Sequence, residues 1–243
     1  MNKSCIEKIE EKPGFIRCET HVHSAGSPCA KEKPETIARV YKEAGYGALA
    51  VTNHYMTWLL DEYYPQDTDP IEQYIQHYRD LKACCEKVGI RVFFGMELEL
   101  DYFKIAHNAV VELLCYGITG DFLRNNRRLS SMLQREFFAL AEQNGIAVFQ
   151  SHPFRDYCCR ARPEYLHGIE VHNAHHTHDG HNDEAAAFAK KYNLIGISGS
   201  DLHEERAPDG TSPVRGGIWL PEHIKTDAEF VAYLMTGEIE YHL

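Results

Sequence analysis

Short apolar runs typical of β-strands alternate with helical segments along the whole sequence, and this alternation limits the fold more than any other feature. The run ALAV at 48–51 is typical of a buried strand, and the segment 70–88 places its apolar residues on one helical stripe. Alternating strands and helices predict a parallel sheet with crossover helices. We therefore expect an α/β fold in which about seven strands form a barrel.

The predicted elements follow one another without a linker, a low-complexity segment or an internal repeat, so we expect a single domain over residues 1–243. Two possibilities stay open for the segments 91–97 and 110–118, which could be barrel strands or a hairpin inserted at the rim. The predicted strands are 15–21, 48–52, 91–97, 110–118, 146–150, 168–172, 194–198 and 214–220. The predicted helices are 34–44, 70–88, 130–143, 183–192 and 227–235.

Acidic side chains outnumber basic ones, 36 to 25, and give the chain a net charge of -11. Such a charge repels the phosphate backbone of nucleic acids, so stable nucleic-acid binding is not expected. The eight cysteines have neither the spacing of a disulfide scaffold nor that of a zinc finger. We find no apolar stretch of membrane-spanning length and no signal peptide, and we expect a cytoplasmic protein without a membrane partner. No pattern indicates the oligomeric state.

Histidine or carboxylate residues stand at the ends of five predicted strands, where the active-site loops of α/β barrels converge. A single histidine at such a place is more typical of a hydrogen-bonded polar residue than of a metal ligand. Five buried strands that all end in such groups are costly unless something pairs with them, and a shared metal cluster supplies that partner. Imidazole and carboxylate suit zinc, manganese and iron. The residues are His21, His23, His54, Glu97, His152, Asp201 and His203.

These residues lie in four motifs, and with them the sequence resembles the PHP (polymerase and histidinol phosphatase) domain family. The motifs are HVH at 21–23, TNH at 52–54, GME at 95–97, and a fourth that is divided between SHP at 151–153 and GSDLH at 199–203. The resemblance implies a distorted seven-stranded β/α barrel with two or three divalent metal ions at the strand ends. It also implies phosphoesterase activity, which many members have.

The resemblance further implies how the ligands are shared among the ions. His21, His23, Glu97 and Asp201 would hold one ion, and Glu97 would bridge it to a second ion that is bound by His152. A third ion would be bound by His54 and His203. Glu112 stands where the family often has a histidine and is expected as an oxygen ligand, with His107 as the competing candidate.

Four positions depart from the family pattern. Asn53 replaces the usual aspartate of the second motif, so it offers no carboxylate. Glu19 replaces an aspartate before the HVH motif, where it could accept a hydrogen bond from an imidazole N–H group. Pro28 and Cys29 stand where the family has an aspartate or histidine, and Cys29 could be a zinc thiolate or a structural cysteine. The number of ions, two or three, therefore stays open.

Two metal ions can produce a hydroxide that attacks a phosphate ester in line. We expect His203 to protonate the leaving alkoxide, and Arg155 to bind the phosphate of a small phosphorylated substrate with its fork of N–H donors. Asn173 matches an asparagine that is frequent in the family and is expected beside the substrate. Weaker candidates for phosphate binding are Arg160, Arg162 and Arg206. The histidine-rich run 172–181 is expected mainly as a solvated loop.

Two other functional classes fit part of this pattern. An amidohydrolase-type enzyme that cleaves C–N bonds also begins with an HxH motif on a barrel strand, but it usually ends with an aspartate on an eighth strand that this sequence lacks. A metal-binding module without catalysis would not need a complete ligand set. The predicted function is therefore metal-dependent hydrolysis of phosphate esters.

Overall fold

One twisted sheet forms the centre of the protein in the computed structural model, which describes residues 11–65, 67–204 and 214–242. Within these residues the strand order is β8-β7-β6-β5-β4-β2-β1-β9, and the short β3 pairs with β4. The strands are β1 (Phe15–Val22), β2 (Tyr46–Val51), β3 (His54–Tyr55), β4 (Arg91–Glu99), β5 (Glu112–Tyr116), β6 (Ala147–Gln150), β7 (Gly168–Asn173), β8 (Ile195–Gly199) and β9 (Ile218–Pro221).

Helices cover the outside of this sheet, as the alternating pattern predicts. The α-helices are α1 (Pro34–Glu43), α2 (Pro70–Lys87), α3 (Asp101–His107), α4 (Gly120–Asn125), α5 (Gln134–Gln143), α6 (Asn182–Tyr192) and α7 (Asp227–Leu234). A π-helix at Leu59–Tyr63 and two short 3₁₀ helices, at Leu129–Ser131 and Pro163–Tyr165, complete the helical elements of the described chain. None of the helices in the described part of the chain is both long and apolar enough to span a membrane.

The sheet curls until its first and last barrel strands meet, so the predicted distorted barrel is confirmed. Thr20 on β1 donates a hydrogen bond from Oγ1 to the carbonyl of Ser198 on β8, at 2.7 Å. Just beyond these strands, Val22 and Leu202 form a parallel bridge. Seven strands build the barrel wall, and β3 and β9 are additions at its two ends.

The direction of β5 differs from a uniformly parallel barrel. It pairs antiparallel with both β4 and β6, because the connection from β4 holds only the short helix α3 and cannot carry the chain back to the start of a parallel strand. The hairpin predicted as one possibility is thus present, but it lies in the barrel wall. The predicted helix 130–143 begins only at Gln134, and the predicted strand 214–220 is Ile218–Pro221.

Apolar side chains fill the barrel interior at the end opposite the candidate ligands. Phe93 on β4 stacks on Phe230 of α7, with ring centroids 4.3 Å apart, and Phe230 meets the edge of Tyr116 on β5. The Tyr116 hydroxyl donates to the carbonyl of Thr20 at 2.9 Å. All three rings are almost fully buried, so among the described residues this end of the barrel is filled by an apolar core.

Candidate metal centre

The predicted ligands lie together at the carboxyl end of the barrel, each at or just beyond the end of its strand. Glu112 begins its strand, but β5 runs antiparallel, so its first residue reaches the same end. Five of the ligand side chains are buried and three lie partly open at the outer edge. The buried ones are His21, His23, Glu97, His152 and Asp201, and the partly open ones are His54, Glu112 and His203.

The carboxylate of Glu97 lies between two pairs of histidines. Its Oε1 is 3.3 Å from His21 Nε2 and 3.2 Å from His152 Nε2. Its Oε2 is 3.3 Å from His23 Nε2 and 2.9 Å from His54 Nδ1. Each oxygen therefore faces two ring nitrogens, so the Glu97 carboxylate and the four histidines could together hold divalent cations.

Asp201 completes the inner side of the cluster. Its Oδ1 is 3.3 Å from His21 Nε2 and 3.2 Å from His23 Nε2, and the two Nε2 atoms are 3.1 Å apart. Ligand atoms at tetrahedral corners roughly 2.1 Å from a zinc ion are roughly 3.4 Å from one another. The spacing of these atoms is thus that of a coordination shell.

Buried polar atoms that lack hydrogen-bond partners also indicate a metal site. Both carboxylate oxygens of Glu97 and Nδ1 of His54 are buried without a hydrogen-bond partner among the described residues. Buried polar atoms without a partner are costly in free energy, and a charged carboxylate is especially so. Divalent cations would satisfy these atoms, so the residues present fit the metal ions that the sequence predicts.

The ring orientations are also those of metal ligands. A ligating histidine normally donates its second ring N–H to an acceptor, which fixes the tautomer and leaves the other nitrogen for the metal. His21 Nδ1 lies 3.1 Å from Glu170 Oε1, and His203 Nδ1 lies 2.8 Å from the carbonyl oxygen of Asp201. His23 Nδ1 lies 3.2 Å from the hydroxyl of Ser27. In these three rings Nε2 is left for a cation.

Glu170 is a central residue that the sequence reasoning missed. It lies on β7, is buried, and besides holding His21 it accepts hydrogen bonds on Oε2 from the backbone N–H of His152 and from Asn173 Nδ2. A carboxylate inside the apolar run GIEVH was the one available signal. Its meaning depends on β7 and β1 being brought to the two sides of β8 where the barrel closes, which the sequence pattern does not show.

Glu19 has a different role from the expected one, because its carboxylate binds backbone rather than imidazole. Oε1 accepts hydrogen bonds from the N–H groups of Thr20, His21 and Ser200, and Oε2 accepts one from the Tyr41 hydroxyl. Burial raises the pKa of Glu19 to about 7, although the hydrogen bonds from Ser200 and His21 oppose that rise. Glu19 ties the end of β1 to the loop that carries Asp201.

Asn53 lies beside the ligands but does not face them. Its Oδ1 accepts from the backbone N–H and hydroxyl of Ser24 and from the Ser27 hydroxyl, while its Nδ2 donates to Ser24 Oγ. An amide can accept and donate at once, whereas an aspartate could only accept. Asn53 therefore fastens the loop that supports His23.

Of the two residues that compete for the position beside β5, the structure brings only Glu112 to the cluster. Glu112 lies 3.5 Å from His54 Nδ1 and 3.7 Å from His152 Nε2. His107 is exposed at the end of α3, where its ring packs against Tyr102 and Phe103. His107 therefore lies outside the cluster.

Cys29 lies at the outer edge of the cluster, and its thiol hydrogen-bonds with His54 and His203. These two residues, together with His23 and Cys29, place one potential ligand atom each within 4.8 Å of one another. Burial would raise the pKa of Cys29, but the hydrogen bonds with His203 and His54 and the charge of these rings outweigh burial and lower the pKa to about 7. A thiol in this place can readily become a thiolate.

Two ligands have unusual backbone conformations. His152 has a φ of 25° and Asp201 a φ of 53°, values that residues with a Cβ atom rarely adopt. Such conformations cost on the order of 1–3 kcal/mol each and persist only where the surroundings hold them. Here the Glu170 carboxylate accepts from the N–H of His152 at 3.0 Å, and the carbonyl of His21 accepts from the N–H of Asp201 at 2.8 Å.

Arg155 and Asn173 lie beside the ligands, as predicted. Arg155 Nη2 donates to Asn173 Oδ1 at 2.9 Å and also to Asp201 Oδ2, while its Nε is buried without a partner among the described residues. Of the weaker candidates, Arg160 and Arg162 are exposed, and Arg206 lies outside the described residues. Arg155 is therefore the arginine closest to the cluster among the described candidates.

The histidine-rich run after β7 is only partly a solvated loop. His178 is exposed, but His175 is half-buried and its ring centroid lies 5.2 Å from that of His203. Burial lowers the pKa of His175 to about 3. The loop thus forms part of the pocket wall above Asp201 and His203.

The model of the PHP domain family matches residues 19–210. A search of the curated proteins finds no significant match to the chain.

Several solved structures share the fold. One is a two-domain protein from Bacteroides vulgatus that contains a predicted PHP-like metal-dependent phosphoesterase, with a TM-score of 0.63 and 19% identity over 97% of this chain and 67% of that chain. Another is the lesion-specific endonuclease PfuEndoQ from Pyrococcus furiosus, with a TM-score of 0.59 and 14% identity over 93% and 57% of the two chains. An amidohydrolase from Chromobacterium violaceum, solved with bound sulfate and no metal, has a TM-score of 0.50 and 14% identity over 81% and 90%.

The position of Glu97 leads to a first prediction. Glu97→Gln keeps the shape of the side chain but removes one anionic oxygen, so the purified variant should lose at least one of its bound ions and nearly all activity. Glu99→Gln is the matched control, because Glu99 lies two residues further along β4 and pairs with Lys104 at 3.1 Å. Elemental analysis of both variants measures the metal content. Metal loss in Glu99→Gln but not in Glu97→Gln would show that Glu99, and not Glu97 of the third motif, is the metal-binding carboxylate.

A second prediction concerns protons. Burial would lower the pKa of His21, but the charges of Asp201, Glu170 and Glu97 outweigh it and raise that pKa well above its ordinary value. In the same way, burial acts against protonation of His152, yet hydrogen bonds with Cys158 and Glu97 raise its pKa to about 10. We therefore expect both rings to be protonated at neutral pH in the metal-free protein, so that metal binding must displace protons.

Metal binding should therefore release protons, and the affinity should fall as the pH is lowered. Calorimetric titration of the metal-free protein with zinc, in two buffers of different ionisation enthalpy, counts the released protons. Binding enthalpies that are the same in both buffers at neutral pH would contradict this prediction.

Proposed function

The chain belongs to the PHP domain family, and with this as the premise we propose that it hydrolyses phosphate esters of small molecules with two or three divalent metal ions. One observation carries the proposal: each oxygen of the unpartnered Glu97 carboxylate faces a separate pair of histidine nitrogens. Ions bound there would activate water for attack and neutralise the negative charge of the phosphoryl group.

The residues of the chain would hold these ions and keep their ligands in position. His21, His23, Glu97 and Asp201 would hold the inner ion, and His152 with Glu97 and Glu112 would hold the second. Glu170 keeps the His21 ring in the orientation of a ligand and, through the backbone of His152, supports the second site as well. Since these groups are fixed before substrate arrives, little reorganisation is needed during the reaction.

We propose a third, outer ion bound by His54, His203 and Cys29. The contact of the Cys29 thiol with both rings supports this assignment. A thiolate is a soft ligand that suits zinc better than manganese or magnesium. The outer ion would then be zinc, while the inner pair, with its carboxylates, accepts zinc, manganese or iron.

The substrate phosphate would bind beside Asp201 through Arg155, with Asn173 as the residue that positions the guanidinium. The unpartnered Nε of Arg155 supports this role, because it leaves one donor of the fork available. A net charge of -11 favours a small substrate over a nucleic acid. The free thiols of all seven cysteines in the described residues are consistent with action in the cytoplasm.

The predicted acid function of His203 competes with its function as a ligand. Its Nδ1 faces the carbonyl oxygen of Asp201, so only Nε2 is available, and that atom can hold a metal or a transferable proton but not both. The contact with Cys29 favours the ligand function.

Hydrolysis of C–N bonds is the second candidate, favoured by the structural similarity to the amidohydrolase from Chromobacterium violaceum. Such a reaction would need the metal cluster but would not need Arg155 as an anion-binding group. The two functions therefore differ in what Arg155 does.

Metal removal tests the proposal directly. Dialysis against a chelator should abolish hydrolysis of an aryl phosphate, and added manganese or zinc should restore it. The fully loaded protein is then assayed on matched panels of phosphate monoesters, phosphate diesters and amides. Activity on amides alone would favour the second candidate, and full metal occupancy without any hydrolysis would indicate a non-catalytic binding module.

Replacing Arg155 tests the phosphate site. Arg155→Ala removes a charged hydrogen-bond donor. It should raise the free energy of the transition state by about 2–3 kcal/mol and lower kcat/KM accordingly. Arg155→Lys keeps the charge but not the fork, so its loss should be smaller. Metal content is measured in both variants, because Arg155 also contacts Asp201. An unchanged kcat/KM in Arg155→Ala would exclude Arg155 from the site.

Replacing Cys29 tests the outer ion. In the cobalt-loaded protein a coordinated thiolate produces an intense sulfur-to-metal charge-transfer absorption, and Cys29→Ser should abolish it together with one bound ion. Cys84→Ser, on α2, is the matched control and should change neither. An unaltered absorption spectrum in Cys29→Ser would show that Cys29 is not a ligand.

A further inference from the structure

The loop after β7 places His175 against the metal centre. One ring nitrogen of His175 lies within 4.8 Å of ligand atoms of Asp201 and His203. Its backbone N–H donates at 3.1 Å to Asn173 Oδ1, the same oxygen that accepts from Arg155 Nη2 at 2.9 Å. His175, Asn173 and Arg155 are thus linked by hydrogen bonds on one side of Asp201.

The proton of the His175 ring has a defined place. Its Nδ1 lies 3.2 Å from the backbone nitrogen of Thr177 and 3.1 Å from the Thr177 hydroxyl. A backbone N–H can only donate, so Nδ1 must accept, and a neutral ring then carries its proton on Nε2. Within the described residues no hydrogen bond occupies Nε2, which is left as a free donor.

This tautomer is the opposite of that of His21 and His203, two of the proposed ligands. In His21 and His203 the Nδ1 atom faces a carboxylate or carbonyl oxygen, which can only accept, so Nε2 has a free lone pair for a cation. In His175 the lone pair of Nδ1 is used by Thr177, and Nε2–H repels a cation. His175 therefore lies among the ligands with the polarity of a group that binds an anion.

We propose that His175 donates its Nε2–H to an oxygen of the substrate phosphoryl group, on the same side as Arg155. This rests on the proposed function, because the anion is the phosphate of the substrate. No proton is transferred in this interaction: the neutral ring orients the phosphoryl group and strengthens its binding as negative charge increases on the oxygens. His175 is then a substrate-binding residue and not a metal ligand.

The tautomer can be measured without any activity. Nitrogen-15 NMR of the histidine side chains should show an unprotonated Nδ1 and a protonated Nε2 for His175, assigned by the disappearance of its signals in His175→Gln. A protonated Nδ1 in His175 would overturn the proposal.

Substitutions separate the binding function from a ligand or a purely structural one. His175→Ala should keep the full metal content of the unmodified protein but bind inorganic phosphate about ten- to a hundredfold more weakly, which is the effect of one hydrogen bond to a charged group. His175→Gln places an amide N–H near the position of Nε2 and should recover much of that binding. His178→Ala, on the exposed part of the same loop, is the control and should bind phosphate normally.

Calorimetry with inorganic phosphate and elemental analysis give the two readouts on the metal-loaded proteins. Loss of a metal ion in His175→Ala would identify His175 as a ligand and overturn the proposal, as would unchanged phosphate binding. If the unmodified protein binds phosphate but hydrolyses no phosphate ester, the proposed function fails. The same variants still decide whether His175 is an anion-binding residue.

Discussion

The burial of the Glu97 carboxylate between four histidine rings is the interaction on which the rest of the site depends. A buried anion without a partner would destabilise the fold by several kcal/mol. The surrounding histidines offset that cost, since the positive charges of His21 and His54 and the closeness of the His152 ring outweigh burial and hold the pKa of Glu97 well below its ordinary value. The barrel therefore assembles around a group that requires positive charge, whether from protonated imidazoles or from metal.

A second layer of carboxylates makes this arrangement rigid. Glu170 and Glu19 take no ligand position, yet each binds groups on different strands: Glu170 joins β7 to the His21 ring and the His152 backbone, and Glu19 joins β1 to the loop after β8. These contacts explain how His152 and Asp201 can keep left-handed backbone conformations. Strain in the backbone of the ligands is held by hydrogen bonds one layer further out.

The sequence predicts the candidate ligands that the structure brings together better than it predicts the residues that hold them in place. His21 and His23 were recognisable because the two-residue period of a strand puts both on one face at its end. Glu170 was not, because a single carboxylate inside a strand acquires its meaning only from the strands that the fold brings beside it. The direction of β5 and the late start of α5 at Gln134 also depend on tertiary packing, which local patterns do not encode.

Local sequence patterns also fail to predict the structure of the histidine-rich loop after β7. The run of histidines after β7 has no periodicity, so its composition alone predicted a solvated loop. The structure divides that run, since His175 is held by Thr177 and Asn173 while His178 is exposed. A side chain that fixes a tautomer cannot be identified from residue type, because the identity of the hydrogen-bond partner decides it.

The closure of the barrel between β1 and β8 has a consequence for the order of events during synthesis. His21 and His23 leave the ribosome early, whereas Asp201 and His203 follow almost the whole barrel later, and contacts between such distant parts of a chain form late in folding. A nascent chain can offer its first two histidines to a metal ion, but it cannot complete the inner shell until β8 has joined β1. With the proposed ligands, tight metal binding would be acquired only by chains whose barrel is closed, and a retained metal ion would mark a finished fold.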